Sequence, residues 1–134
     1  KIAPPGAAEW PSFDPDVLGG NYHGHGPNPS GTDVKPAAES ADHPILAGVR
    51  PLAWHSKGSL YFASPIDPKA RVLLRGSADG KTEPVAWTRS YRGGRIFYTS
   101  LGHADDFQEP QFQQLLLNAI RWAAGVHVEA GKGK

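Results

Sequence analysis

Segment 101–106 carries the clearest potential for chemistry, because one histidine is followed closely by two acidic residues. His103 comes after a β-rich run and before a predicted helix, and open α/β sheets usually bind ligands at such a position. Near neutral pH, His103 could act as general acid or base, with Asp105 or Asp106 orienting it. The alternative is that both carboxylates only cap the helix while His103 packs against the sheet.

Two further histidines, His23 and His25, lie in a glycine-rich segment and are separated by one residue. On an extended backbone this spacing directs both rings to the same side, as two ligands of one metal ion require. A third ligand such as His43, His55 or His103 would complete a zinc-type site. With a carboxylate instead, His23 and His25 could hold the metal ion of a hydrolase. Glycine-flanked histidines in loops are also commonly only solvated, so a divalent metal is one option and no cofactor is firmly implied.

Several aromatic residues and one arginine are of the types that bind sugars. An aromatic face packs on the C–H surface of a sugar ring, while an arginine fixes hydroxyl or carboxylate groups. We take Tyr61 and Arg89, together with His25, as candidate ligand-binding residues. Trp87 and Tyr98 fit cross-strand packing better.

Composition excludes several classes of protein. The 134 residues include 14 Lys and Arg against 13 Asp and Glu, and the basic residues are scattered, so a basic nucleic-acid-binding face is not expected. No apolar run approaches the roughly 20 residues of a membrane-spanning helix. The absence of cysteine excludes disulfides, thiolate metal sites and a cysteine nucleophile, and it does not choose a compartment.

The elements that position these residues begin in a Pro- and Gly-rich region before residue 51, where regular structure cannot extend far. A short helix is predicted at 14–18. Residues 33–38 could form an extended strand, and Pro36 favours an edge position because proline cannot donate to a ladder.

Strands dominate the middle of the chain. Apolar runs at 59–62 and 71–74 predict two short buried strands. Alternation over 85–91 and a β-rich run over 95–101 predict a hairpin, with both glycines of Arg92-Gly93-Gly94 supplying the positive φ of its turn.

The carboxyl-terminal helix has the strongest periodic signal. Pro110 suits its first turn and Gly125 suits the position just past its end. Its predicted apolar face consists of Phe112, Leu115, Leu116, Ala119, Ile120 and Ala123. With one clear helix and several strands, the chain is predicted to be an α/β unit with a partial sheet.

Several ordered motifs resemble the signature of the ThuA-like, or trehalose-utilisation, family. They are the segments 84–89 (PVAWTR), 94–103 (GRIFYTSLGH) and 120–125 (IRWAAG), and upstream 19–25 (GGNYHGH) and 42–45 (DHPI). The resemblance implies a flavodoxin-like, class I glutamine amidotransferase-like sheet, of which this chain is the carboxyl-terminal portion. The domain would cover residues 13–125, with an amino-terminal extension at 1–12 and a tail at 126–134.

The resemblance implies binding of a carbohydrate-derived ligand and acid/base chemistry on keto-sugars in disaccharide utilisation. The chain departs from the family where Gly58-Ser59 replaces an acidic residue, and where the amino-terminal half of the fold is missing. We therefore also expect a partner chain or that missing half to complete the fold. Two alternatives are a non-catalytic interaction or assembly module and the metal-dependent hydrolase.

Overall fold

A computed structural model describes residues 4–126. One five-stranded sheet is ordered β2-β1-β3-β4-β5, with every pairing antiparallel. Its elements are β1 (Thr32–Pro36), β2 (Trp54–Ser56), β3 (Arg71–Ala78), β4 (Lys81–Tyr91) and β5 (Gly94–Thr99), followed by helix α1 (Pro110–Ala123). The predicted α/β fold, a partial sheet with a hairpin and a carboxyl-terminal helix, is confirmed.

The hairpin predicted from alternation is formed by β4 and β5. Its last pair joins Tyr91 to Gly94, so the turn has only two central residues. These are Arg92 and Gly93, with φ of 47° and 80°, as a primed two-residue turn requires. The prediction that both glycines supply the positive φ was therefore wrong, because Gly94 already belongs to the ladder.

Pro36 favours an edge position for strand β1, but the strand lies between β2 and β3. Pro36 is its last residue and pairs with Leu74 of β3. The ladder with β2 has already ended at the pair of Val34 and Trp54. The proline therefore lies beyond the region where a bond to β2 would be needed.

The strand predicted at 59–62 is reduced to a single antiparallel bridge between His25 and Tyr61. Around it, Phe62 donates to Gly24 O at 2.8 Å, and the neighbouring bonds fix the two segments side by side. The partner segment is rich in glycine and is followed by Pro27, so the pairing cannot extend into a regular ladder.

Helix α1 buries Phe112, Leu115 and Ala119 against the sheet, as predicted. Ile120, placed on the same face by periodicity, is 68% exposed. It lies five residues beyond Leu115, roughly 140° around the helix. The buried face turns the other way, towards Asn118, whose Nδ2 donates to Ile45 O and to Ala47 O.

The sheet is covered on both sides. On one side a continuous core joins it to α1 and to the helical turn Pro44–Leu46. On the other side the helical turn Asp14–Leu18, at the predicted position, packs on β4 and β5. Among residues 4–126 no helix is long and apolar enough to cross a membrane.

Candidate functional site

A cleft of about 620 Å³ opens where the chain leaves β2 and where it leaves β5. Most of its lining is neutral and polar, and within residues 4–126 the lining includes no acidic side chain. The lining residues are Asn28, Ser56, Lys57, Gly58, Ser59, Tyr61, Ser100, Leu101, Gly102 and His103. The structure thus brings together His103 and Tyr61, two of the residues singled out from the sequence.

The wall of the cleft is held in place by Asp106, which is only 2% exposed. Its Oδ2 accepts hydrogen bonds from the amides of Gly102 and His103, both at 3.0 Å, and from Ser56 Oγ at 2.9 Å. One carboxylate therefore joins the end of β2 to the loop after β5. Asp106 is a buried anchor and cap in this structure and does not line the cleft, and a role in supporting the chemistry of His103 stays a prediction.

The imidazole of His103 is oriented by a backbone group. Its Nδ1 accepts a hydrogen bond from the amide of Asp105 at 3.1 Å. The neutral ring must therefore carry its proton on Nε2, which leaves an N–H donor for a ligand. Neither carboxylate, of Asp105 or of Asp106, hydrogen-bonds to the ring.

The carboxylate of Asp105 pairs with Lys57 Nζ at 2.9 Å beside the cleft. The hydrogen bond and charge of Lys57 hold the pKa of Asp105 below its ordinary value, and Asp105 in turn raises the pKa of Lys57. Both side chains are largely exposed. The one lysine of the described lining is thus partly neutralised by a neighbour, so the cleft does not favour a strongly anionic ligand.

Aromatic rings surround Tyr61, which is 38% exposed. The ring of Tyr22 lies 4.7 Å away between centroids and that of His25 lies 6.2 Å away. Tyr98 instead stacks on Trp87 at 4.1 Å, as cross-strand packing predicted. Burial raises the pKa of Tyr98, helped by the proximity of Tyr61 and Asp14, and its hydroxyl therefore stays protonated.

Arg89 does not line this cleft. Its guanidinium pairs with Asp67 at 3.0 Å and donates to the backbone oxygens of Pro15 and Asp16. These contacts fasten the helical turn Asp14–Leu18 to β4. A role for Arg89 in ligand binding stays a prediction, for which this arrangement offers no support.

The histidines considered as metal ligands are not gathered into one cluster. His23 Nε2 lies 2.8 Å from Ser64 O, and His25 Nδ1 lies 2.7 Å from Gly26 O. His55 pairs with Asp33, and His43 is buried against α1. In the part of the chain that the structure describes, no three His, Asp or Glu side chains could hold one metal ion. A metal at His23 and His25 thus stays a prediction without a third ligand.

Sequence reasoning missed most of the polar lining. A usable signal existed for the run Ser56-Lys57-Gly58-Ser59, since it is polar and contains a glycine between two apolar segments. Asn28 carried no signal, because its place in the cleft depends on a remote loop. Gly58 also matters sterically, since a Cβ there would lie 3.3 Å from His103 Cβ.

Comparison with known proteins gives one clear result. The family model ThuA, described as trehalose utilisation, matches residues 5–123, which is most of the chain. No significant similarity to any curated protein is found.

Proposed function

Because the chain belongs to the ThuA family, we propose that its cleft binds a carbohydrate-derived ligand and that His103 acts on a ligand oxygen. The observation that supports this most directly is the make-up of the cleft. An imidazole N–H, a half-exposed tyrosine and several neutral hydrogen-bonding groups surround one space of about 620 Å³. A polyhydroxylated ring needs this combination of apolar stacking and neutral hydrogen bonding.

The orientation of His103 favours one kind of chemistry. With Nδ1 occupied by the Asp105 amide, the neutral ring donates from Nε2 and stabilises negative charge that develops on a ligand oxygen. A carbonyl oxygen, as in a keto-sugar, is an acceptor of this kind. Full proton transfer from the ring requires the imidazolium form, whose Nδ1 proton displaces the Asp105 amide hydrogen bond.

The test is a pair of substitutions at His103. In His103→Asn the side-chain oxygen still accepts from the Asp105 amide, but the Nε2 donor is lost; His103→Ala removes both. We expect turnover of trehalose or a 3-keto derivative to fall by about 100-fold or more in both variants, with His103→Asn keeping its thermal stability. His55→Ala is the control, because His55 pairs with Asp33 and does not line the cleft. Full turnover in His103→Asn would remove the catalytic part of the proposal.

The second candidate is an assembly module, and the outer face of α1 supports it. Ile120 is 68% and Leu117 is 42% exposed, three residues apart on one side of the helix. A second polypeptide packed there would cover both side chains. Light scattering would test this: an assembly of native protein that dissociates in Ile120→Lys favours the module, and a monomer at all concentrations contradicts it.

A further inference from the structure

One polar side chain of the cleft has no part in the proposed chemistry of His103. Asn28 lines the cleft, and among the described lining residues it is the one that precedes residue 56 in the chain. Its carboxamide presents an oxygen acceptor and an N–H donor side by side. The hydrogen bond that Asn28 makes in the described chain uses its backbone oxygen, which accepts from the amide of Gly31 at 3.4 Å. The carboxamide is therefore available to a ligand.

The helical turn Asn28–Ser30 is tied at both ends to the segment that runs along the cleft. Before the turn, the amide of Gly26 donates to Leu60 O at 2.8 Å. After the turn, Thr32 Oγ1 donates to Gly58 O, also at 2.8 Å. Both acceptors belong to one short stretch of chain, so this stretch fixes the backbone on both sides of the turn and holds the turn next to the cleft.

Between these two anchors the turn has little conformational freedom. Pro27 and Pro29 flank Asn28, and each proline ring restricts φ at its own position. Gly31 has a φ of 63°, and a Cβ there would lie 2.5 Å from His55 Nε2, so the end of the turn packs directly on β2. The backbone of Asn28 is therefore positioned before a ligand arrives, and little conformational entropy has to be lost on binding.

We propose that Asn28 is a specificity-determining residue, whose carboxamide binds two adjacent hydroxyl groups of the sugar ring in the cleft. The inference rests on the proposed function and deepens it, because it names the part of the ligand that the site selects. The carboxamide oxygen accepts from one hydroxyl, and the amide N–H donates to the neighbouring hydroxyl. A site built to hydrogen-bond a hydroxyl disfavours the analogue that lacks it, because a polar group of the site then loses its partner.

The test is a thermodynamic cycle between Asn28 and the hydroxyl groups of the ligand, measured by titration calorimetry with trehalose and with analogues that lack the same hydroxyl on both rings. In the native protein, loss of either of two adjacent hydroxyls should weaken binding about three- to tenfold. In Asn28→Ala trehalose itself should bind more weakly, and the penalty for those two analogues should disappear. Asn21→Ala is the matched control and should keep the native pattern, since Asn21 is also exposed but does not line the cleft.

The outcomes separate this inference from the function on which it rests. If trehalose binds and every analogue has the same penalty in the native protein and in Asn28→Ala, the cleft binds sugar but Asn28 does not select its hydroxyls. If trehalose does not bind the native protein, the proposed carbohydrate function fails and the role of Asn28 fails with it. Equal melting temperatures of the native protein and Asn28→Ala would show that a changed pattern reflects the missing carboxamide.

Discussion

Asp105 and Asp106 are adjacent in the chain, but their carboxylates lie in opposite environments. Asp105 is exposed and pairs with Lys57 at the surface. Asp106 is buried and accepts three hydrogen bonds that no other group replaces. The first interaction is screened by solvent and salt, whereas loss of the second leaves the buried Ser56 hydroxyl and two partly buried amides without an acceptor.

Replacing each aspartate by alanine should therefore change the free energy of unfolding by very different amounts. We expect Asp106→Ala to lower the free energy of unfolding by about 3 kcal/mol, because the amides of Gly102 and His103 lose their acceptor. Asp105→Ala should leave the denaturant midpoint nearly unchanged. Chemical denaturation of both variants measures the difference, and equal losses would contradict the anchoring role of Asp106.

At this scale the sequence predicted part of the site for a clear reason. His103 and Tyr61 were both identified by residue type, and the structure places them in one cleft. Arg89 was assigned to ligand by the same reasoning, but its partners, Asp67 and the oxygen of Pro15, lie far away in sequence. Residue type indicates what a side chain can bind, whereas its actual partner depends on distant packing.

At the scale of elements, the middle of β3 is packed so closely that it requires a glycine. Gly76 is buried, and a Cβ there would lie 2.5 Å from Thr32 Cγ2 and 2.7 Å from Val85 Cγ1. Both neighbours are branched side chains of the adjoining strands β1 and β4. They cannot move aside without disturbing the sheet.

Gly76→Ala should consequently lower stability by about 1–3 kcal/mol through overpacking. Gly26→Ala is the matched control, because a Cβ there meets nothing closer than 3.9 Å and the backbone needs no positive φ. Thermal unfolding of the two variants would check this. If Gly76→Ala has the same melting temperature as Gly26→Ala and the native protein, the close packing of β3 against β1 and β4 does not require a glycine at position 76.

The elements differ in how well local sequence defines them. The β4–β5 hairpin was predictable because its strands, its turn and its partner all lie within one short stretch. The segment 59–62 has equally strong strand character but obtains only one bridge, because its partner is interrupted by glycine and proline. Likewise, the buried face of α1 is oriented towards Asn118 because this side chain donates to the carbonyl groups of residues 45 and 47. The periodicity of the helix cannot reveal these distant partners.

Across the whole molecule, one buried histidine links the loop before β2 to the carboxyl-terminal helix. His43 is 7% exposed, its Nδ1 accepts from the amide of Ile45, and its ring lies 5.7 Å from that of Trp122. Burial lowers the pKa of His43 below its ordinary value, and Arg71 lowers it further while Asp42 acts against them. The folded protein thus favours the neutral ring.

This pKa difference predicts how stability varies with pH. The unfolded chain binds a proton at His43 more readily than the folded protein does. The contribution of neutral His43 to stability is therefore complete above the ordinary pKa of about 6.5 and is lost as the pH falls below that value. We expect the free energy of unfolding to decrease as the pH falls from about 7 through the ordinary pKa of histidine. His43→Asn, which keeps an acceptor for the Ile45 amide, should flatten that decrease in denaturation series. An unchanged slope would assign it to other groups.

Glu39 affects stability in a separate pH range. Its hydrogen bonds to Arg75 lower its pKa to about 2. The contribution of Glu39 to stability is complete above pH 4.5 and is lost as the pH falls from 4.5 to about 2. The two groups can therefore be distinguished by pH alone.

The fastening of the helical turn Asp14–Leu18 to β4 has a consequence for the order of folding. The contacts among β3, β4 and β5 are local in sequence, whereas Trp87 Nε1 reaches Leu18 O across 69 residues and Arg89 reaches Pro15 O across 74. Such long loops close late, so we expect the meander to form first and the amino-terminal segment to dock last. Amide hydrogens near Tyr22 should then exchange through local opening while those of β4 remain protected.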